Sequence, residues 1–350
     1  MMEENNVRLM LNTFVADPLM EGDRVVGLMV ENKSGTQAVR SKVVVDATGD
    51  ADVAERAGVP TDLGERYNHP GMYFAVGDVD TPRYLDFLEG TPEADPADVK
   101  WAEEMFTKDF GLPGYPRSLN PLLPYLKRAS YLGSYHICRR IGDLAVITVD
   151  HGFYPPQHNI VGAQVGLRGQ GIHSGDATMM GELERGARVY IFETALFLRR
   201  YVPGFEHSYL HMIAPYFHAR GGRSAVCDYN MTVDDVNTGA RFDDVTFVVY
   251  GSEGERGPAR GSDFPYRQFL PRGVEGLLTA GRSTIIQPPT MRTRWKVLMM
   301  GQVAGLAAAL AVRDNRTPRQ IDVKELQQLL YRKYHTPMGP PERLRELGVA

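Results

Sequence analysis

Only two cysteines, Cys138 and Cys227, occur in 350 residues. That excludes a disulfide scaffold, and also an iron–sulfur cluster held by this chain's cysteines alone, which needs about four thiolates. Positive charge is not in excess either. The 39 Lys and Arg stand against 43 Asp and Glu, a formal net charge of −4, whereas a protein that coats a polyanion needs a concentrated basic surface. The start, Met1-Met2-Glu3-Glu4-Asn5-Asn6, lacks the basic and apolar regions of a signal peptide. The longest apolar stretch, residues 303–312 with Gly305 inside it, falls short of the roughly 20 residues of a spanning helix. These absences predict a cytoplasmic protein with neither nucleic-acid nor membrane partners.

Several catalytic signatures are missing as well. The phosphate loop G-x-x-x-x-G-K-[ST] does not occur. Gly251, Gly254 and Gly257 run into Pro258 instead of opening a helix, and Gly166, Gly169 and Gly171 come in the wrong order for G-x-G-x-x-G. Neither G-x-S-x-G nor H-E-x-x-H is present. His207 and His211 sit four apart, so on a helix they would share a face, either as metal ligands or as surface histidines. His136, His151, His158 and His173 crowd one stretch that reads as pocket lining or as ordinary loop. The two cysteines read as small buried hydrophobes.

What is present is enough for a sizeable core: 43% of residues are hydrophobic, and the length suits two domains at about 100–200 residues each. Alternating apolar residues predict strands at 7–14, 24–31 and 37–46, the last two as a hairpin around the turn-forming residues 32–35. Val43-Val44-Val45 predicts a strand covered on both faces of a parallel sheet, followed by a turn and a short helix that Gly58 caps. In the middle, Thr81-Pro82 and Gly90 mark a helix start and stop. Residues 179–201 form the strongest middle helix, with Leu183, Ala187, Tyr190, Ile191, Thr194, Ala195 and Leu198 on one face. Residues 245–250 read as a strand, and 276–281 as a short buried strand with a glycine turn. A helix over 297–312 has Gly301, Gly305 and five alanines that permit close backbone approach. Asp322 and Glu325 form a capping box for a last helix through Leu326, Leu329 and Leu330.

Three separated segments, VVVDATGDADVAERAGVP (43–60), DFPYRQFLPRGVEGLLTAGRS (263–283) and MGQVAGLAAAL (300–310), keep an order that resembles the FAD-dependent oxidoreductase family. Its members are often grouped with proteins similar to the flavin-binding chain of heterodisulfide reductase, and the resemblance runs from about residue 7 to residue 334. It implies an α/β fold: a partial glutathione-reductase-like FAD-binding domain, made of a parallel sheet and a β-meander, with an inserted α+β substrate domain. The expected parts are an N-terminal FAD-binding segment (1–61), the insertion (62–265), the C-terminal FAD-binding segment (266–320), and a final helix and tail (321–350). FAD is the implied cofactor and a small organic molecule the implied substrate, with hydride transfer at flavin N5.

Carried over position by position, the resemblance puts Thr48, Gly49 and Asp50 in a turn passing close to FAD, and Gly281 and Arg282 in a turn on its diphosphate or ribityl chain. It makes Gly301 and Gln302 the start of a helix facing the flavin pyrimidine edge. His218 becomes the proton-transfer candidate, with Arg220, Arg223 and Arg292 orienting an anionic or hydroxylated substrate. The family's first strand, its G-x-G-x-x-G turn and the acidic residue for the adenosine ribose lie upstream of residue 1. A truncated chain is therefore expected, or a non-catalytic or split subunit whose open sheet edge pairs with a partner chain or with a second copy. Where relatives carry Pro-Thr-Cys this chain has Trp295-Lys296-Val297; Lys296 reads either as a charge-stabilising neighbour of the flavin or as an exposed lysine.

Overall fold

The computed structural model describes residues 3–63, 70–91, 93–153, 156–169, 172–217, 222–250, 261–285 and 293–350. Two compact units result, one made of Met1–Gly64 with Gly222–Ala350 and the other of Glu65–Gly221. The inserted unit thus ends well before the expected boundary at 265.

The discontinuous unit opens on an antiparallel meander of β1 (Phe14–Glu21), β2 (Arg24–Asn32) and β3 (Gly35–Arg40), in that order. Asn32 pairs with Gly35, so Lys33 and Ser34 alone make the turn, and Gly35 takes the positive φ of +95° that closes it. The hairpin is as expected; the strand over 7–14 is not. Pairing begins only at Phe14, opposite Glu31, and the alternating Val7, Leu9 and Leu11 stay exposed. A period of two makes a strand only where a neighbour supplies the ladder. β4 (Val44–Asp46) leaves the meander. Val44 and Asp46 are buried but Val45 is 37% exposed, so this strand is not covered on both faces as its β-branched run predicts. α1 (Asp52–Arg56) follows, with Gly58 at φ +88° just past its end, then β5 (Thr61–Asp62).

The inserted unit contains β6 (Gly71–Gly77), α2 (Thr81–Gly90), α3 (Pro96–Glu104), α4 (Leu123–Tyr131), β7 (Cys138–Ile141), β8 (Ala145–Phe153), β9 (Val161–Arg168), α5 (Ala177–Tyr201) and β10 (Tyr209–Ile213). Its five strands form one antiparallel sheet in the order β10-β6-β9-β8-β7. Asp80, not Thr81, caps α2, its carboxylate accepting from the amide of Arg83. α5 buries the face its periodicity predicts against Phe74, Val76 and the β8–β9 strands. Tyr190 donates to the Ile137 carbonyl at 2.6 Å, and the Tyr135 hydroxyl lies 2.8 Å from that of Thr194. The hydroxyls of Tyr135, Tyr190 and Thr194 inside this core are therefore satisfied rather than stranded.

The chain then returns to the first unit. β11 (Ser224–Ala225) pairs with β5, and α6 (Val233–Thr238) opens on a Thr232–Asp235 capping box and closes on Gly239 at φ +71°. β12 (Val245–Val249) and β13 (Ser262–Pro265) form an antiparallel pair, and β14 (Leu277–Thr279) runs parallel to β4. α7 (Arg294–Arg313), α8 (Val323–Arg332) and α9 (Pro341–Glu346) complete it. Val303, Ala304, Ala307, Leu310 and Ala311 of α7 join Leu326, Leu330, Leu344 and Val349 in one core, so residues 321–350 are an integral layer and not a tail. Close approach in α7 is made by its alanines. A Cβ at Gly301 or Gly305 would meet nothing within 4 Å, because these glycines face outward. By length and composition α7 could cross a membrane, which the run at 303–312 alone does not suggest; its buried face is occupied by the core of this unit.

Candidate functional site

Leu277 lies opposite Val44 and Thr279 opposite Asp46. Parallel strands in register place the turns after their C-terminal ends side by side, where open α/β sheets bind ligands. Asp46, 1% exposed, organises both turns. Its Oδ1 accepts from the Thr48 amide at 3.0 Å, the Thr48 hydroxyl at 2.7 Å and the Ser283 hydroxyl at 3.3 Å, while Oδ2 accepts from the Ala54 amide at 2.9 Å. Ser283 Oγ in turn accepts from the amides of Gly49 at 2.9 Å and Ala51 at 3.3 Å. Gly49 at φ +94° and Ala51 at φ +52° make the reversal. A buried carboxylate bonded to this many donors is compensated, and the amide-rich start of α1 adds to that.

A second layer consists of ion pairs. Arg282 binds Asp50 through both oxygens, at 2.7 and 2.9 Å. Arg223, with a side chain only 8% exposed, donates from Nε to the Asp50 carbonyl at 2.8 Å and pairs with Asp52 at 2.7 Å and Glu55 at 3.2 Å. Ser224 Oγ donates to the carbonyls of Arg282 and Ile285, at 3.0 and 2.7 Å. Burial pushes the Asp52 carboxyl above its ordinary value. Arg223 opposes that shift, and the like charges of Asp50 and Asp46 add to it.

Five of the residues the resemblance implies, Thr48, Gly49, Asp50, Gly281 and Arg282, therefore meet in one network. Arg223 joins them as a tie between β11 and the first turn rather than as a group presented to a substrate. Gly301 and Gln302 do not begin their helix. α7 starts at Arg294, about two turns earlier, because Trp295, Lys296 and Val297 are all helix-compatible and no breaker separates them from Gly301. Lys296 is fully buried, its Nζ 5.4 Å from the centre of the Trp295 ring, which overturns the exposed reading. His218, Arg220 and Arg292 lie outside the described residues. His207 falls in a turn and His211 in β10, so they share no helical face.

Sequence reasoning places Asp46 and Ser283 within the two turn segments without giving either a role of its own, and passes over Asp52 and Ser224. An Asp two residues before Thr-Gly is an Asx-turn signal that could have identified Asp46; Ser283 carries no local mark, since its partners are more than two hundred residues away in the chain.

Gly281, at φ +65°, has room around it: a Cβ there would meet only Val297 Cγ1, at 3.5 Å. The second turn thus lies beside the first turn of α7. The N-cap residue of that helix, Thr293, makes no side-chain cap, and among the described residues its buried Oγ1 has no hydrogen-bond partner. A glycine turn, an unused hydroxyl and the free amides of a 20-residue helix are a donor set suited to anionic oxygens. Elsewhere in this unit a depression of about 620 Å³ is lined by Arg241, Arg267 and Arg319. Each is paired with a carboxylate, respectively Asp263, Asp244 and Asp228, so it offers no uncompensated positive charge.

Residues 1–330 match the family described as FAD dependent oxidoreductase. No curated protein sequence matches the chain. Among solved structures it is similar to a geranylgeranyl bacteriochlorophyll reductase-like protein from Thermoplasma acidophilum, at 11% identity and TM-score 0.37 over 92% of this chain and 54% of that one. It is similar to a variant of a flavin-dependent brominase, at 13% identity and TM-score 0.36 over 94% and 56%. The p-nitrophenol 4-monooxygenase of Pseudomonas putida gives 12% identity and TM-score 0.35 over 96% and 61%. The chain thus spans between about half and three fifths of these structures.

Proposed function

The chain belongs to the FAD dependent oxidoreductase family, and on that premise we propose that it is the FAD-holding part of a glutathione-reductase-like oxidoreductase acting on a small organic substrate. FAD is the family's cofactor; when bound, it would supply the acceptor, at N5, for a pair of electrons and a proton from that substrate. The observation that carries the reading is the junction of the two turns: Gly281 at φ +65° against Val297, Arg282 fixed by Asp50, and the uncapped start of α7 beside them.

In this reading Thr48, Gly49 and Asp50 shape one wall, Gly281 and Arg282 the other, and the amides and hydroxyl at the start of α7 donate to negative oxygen. Arg282, already neutralised by Asp50, fixes the turn more than it adds charge. Arg223 holds the carboxylates of Asp52 and Glu55 and so positions the first turn. Proton transfer by His218 and substrate orientation by Arg220 and Arg292 belong to the same proposal. A second reading, a non-catalytic subunit pairing with a separate dinucleotide-binding chain, draws on the outer face of α7, where Leu298 is 69% exposed beside the outward glycines.

The test is an absorbance spectrum of the purified chain after incubation with FAD and desalting. Flavin bands that survive, and that disappear when Gly281 is replaced by Val while the far-ultraviolet circular dichroism is unchanged, support the first reading. No retained flavin would overturn it for this chain and leave the second.

A further inference from the structure

α5 has a second apolar face that its own core does not use. Inward it buries Leu183, Ala187, Tyr190, Ile191 and Leu198. Outward it exposes Glu182, Arg185, Val189, Phe192, Leu196 and Arg199. These six are separated by alternating steps of three and four residues, the spacing that keeps a straight seam along a helix and lets another helix pack on it. Val189, Phe192 and Leu196 are 50%, 56% and 51% exposed, large apolar side chains in the middle of the seam with charges at both ends. Single exposed apolar residues are ordinary; three in register on one helix are a patch.

We propose that this seam is an interface with a second copy of the chain, two α5 helices packing antiparallel across a twofold axis. The charge order selects both the partner and the direction. In a twofold interface one surface must complement itself. The antiparallel register that centres the seam places Glu182 opposite the partner's Arg199, Arg185 opposite the partner's Leu196, and Val189 opposite the partner's Phe192. Each relation occurs twice. The apolar layers fall in the middle, the Glu–Arg pairs close the ends, and the Arg185 stem covers Leu196 while its head reaches water. A parallel pairing would instead stack Glu182 on its own copy, and likewise Arg185 and Arg199, setting like charges together in three layers. The seam runs about 25 Å at 1.5 Å per residue. That is a small contact by the standards of stable dimers, so association is weak and depends on concentration.

Sedimentation equilibrium of the chain from low to several hundred micromolar is the test. A reversible monomer–dimer equilibrium is expected. Phe192→Asp should weaken it by at least tenfold without changing the thermal melt, because the site is exposed. Glu182→Arg should also weaken it, and adding Arg199→Glu to that variant should restore it, since only the antiparallel register pairs these two positions. A chain that stays monomeric throughout, or a dimer indifferent to Phe192→Asp, would overturn the proposal. So would a double charge swap that fails to restore association. Co-sedimentation of a monomeric chain with anionic lipid vesicles, abolished by Phe192→Asp, would reassign the seam to a membrane surface and equally overturn it.

Discussion

Asp50 and Arg282 bind through two oxygens and two nitrogens, with side chains 19% and 26% exposed. A partly covered bidentate pair is worth more than a surface ion pair, and removing one member leaves the other charge uncompensated. Asp50→Ala is therefore expected to cost about 1–3 kcal/mol in urea unfolding, toward the low end because solvent still reaches the pair. Arg282→Ala in the same background should recover part of that loss, and strictly additive effects would show that the pair is not coupled. Asp52 gives a pH signature. Its folded pKa is raised by burial, even against Arg223. A raised acid stabilises the fold below its unfolded value and loses that contribution as pH rises through the folded one. As pH rises above the ordinary aspartate value of 3.8, the wild type should thus lose stability relative to Asp52→Asn, whose side chain does not titrate; parallel unfolding curves for the two would refute the assignment. The turn residues are legible in the sequence because glycine and Asx chemistry is local. Ser283, which ties the two turns together, is not, because what makes it important is a partner brought in by the fold.

Elements with a strong period or a local stop signal are legible too. The 24–40 hairpin, the buried face of α5 and the capped start of α8 all follow from spacing. The strand over 7–14 fails because alternation says which face is apolar but not whether a ladder exists. α7 begins earlier than its apolar content suggests, because the helix-compatible Arg294-Trp295-Lys296 extend it toward the N-terminus. Two element-scale outcomes follow from geometry. Gly276 sits at φ +71°, where a Cβ would come within 2.5 Å of the Val25 carbonyl, at the entry to β14, where its own carbonyl accepts from the Val44 amide. Backbone cannot move aside as a side chain can, so Gly276→Ala should cost more than the roughly 1 kcal/mol of a left-handed residue alone, read as a lower melting temperature. An unchanged melt would mean that the parallel pairing tolerates a shift. Asp176 caps α5 by accepting from the Met179 amide at 3.0 Å, and Asp176→Ala should cost about 1 kcal/mol, read as a lower denaturant midpoint at constant slope.

At the scale of the molecule, the sequence shows that something is inserted but not where the insertion ends. The sequence puts that end at residue 265, whereas the unit boundary at Gly221 is set by which residues pack together: Ala225 and Cys227 join the core of Val25, Val44 and Leu277. The core of the inserted unit, from Met72 to Phe217, is drawn entirely from residues 65–221. A fragment of those residues is expected to melt cooperatively on its own and to resist limited proteolysis, as an independent domain does. A broad, non-cooperative melt would show that it needs the rest of the chain. The parallel pairing of Val44 with Leu277 also fixes a schedule. On a ribosome adding about 5–20 residues per second, β4 emerges roughly ten to fifty seconds before β14 is made. Throughout that interval the inserted unit can complete its fold while the N-terminal meander waits unclosed, so this stretch of the newborn chain, with Val7, Leu9, Leu11 and Phe14 uncovered, is where chaperone capture and aggregation would begin.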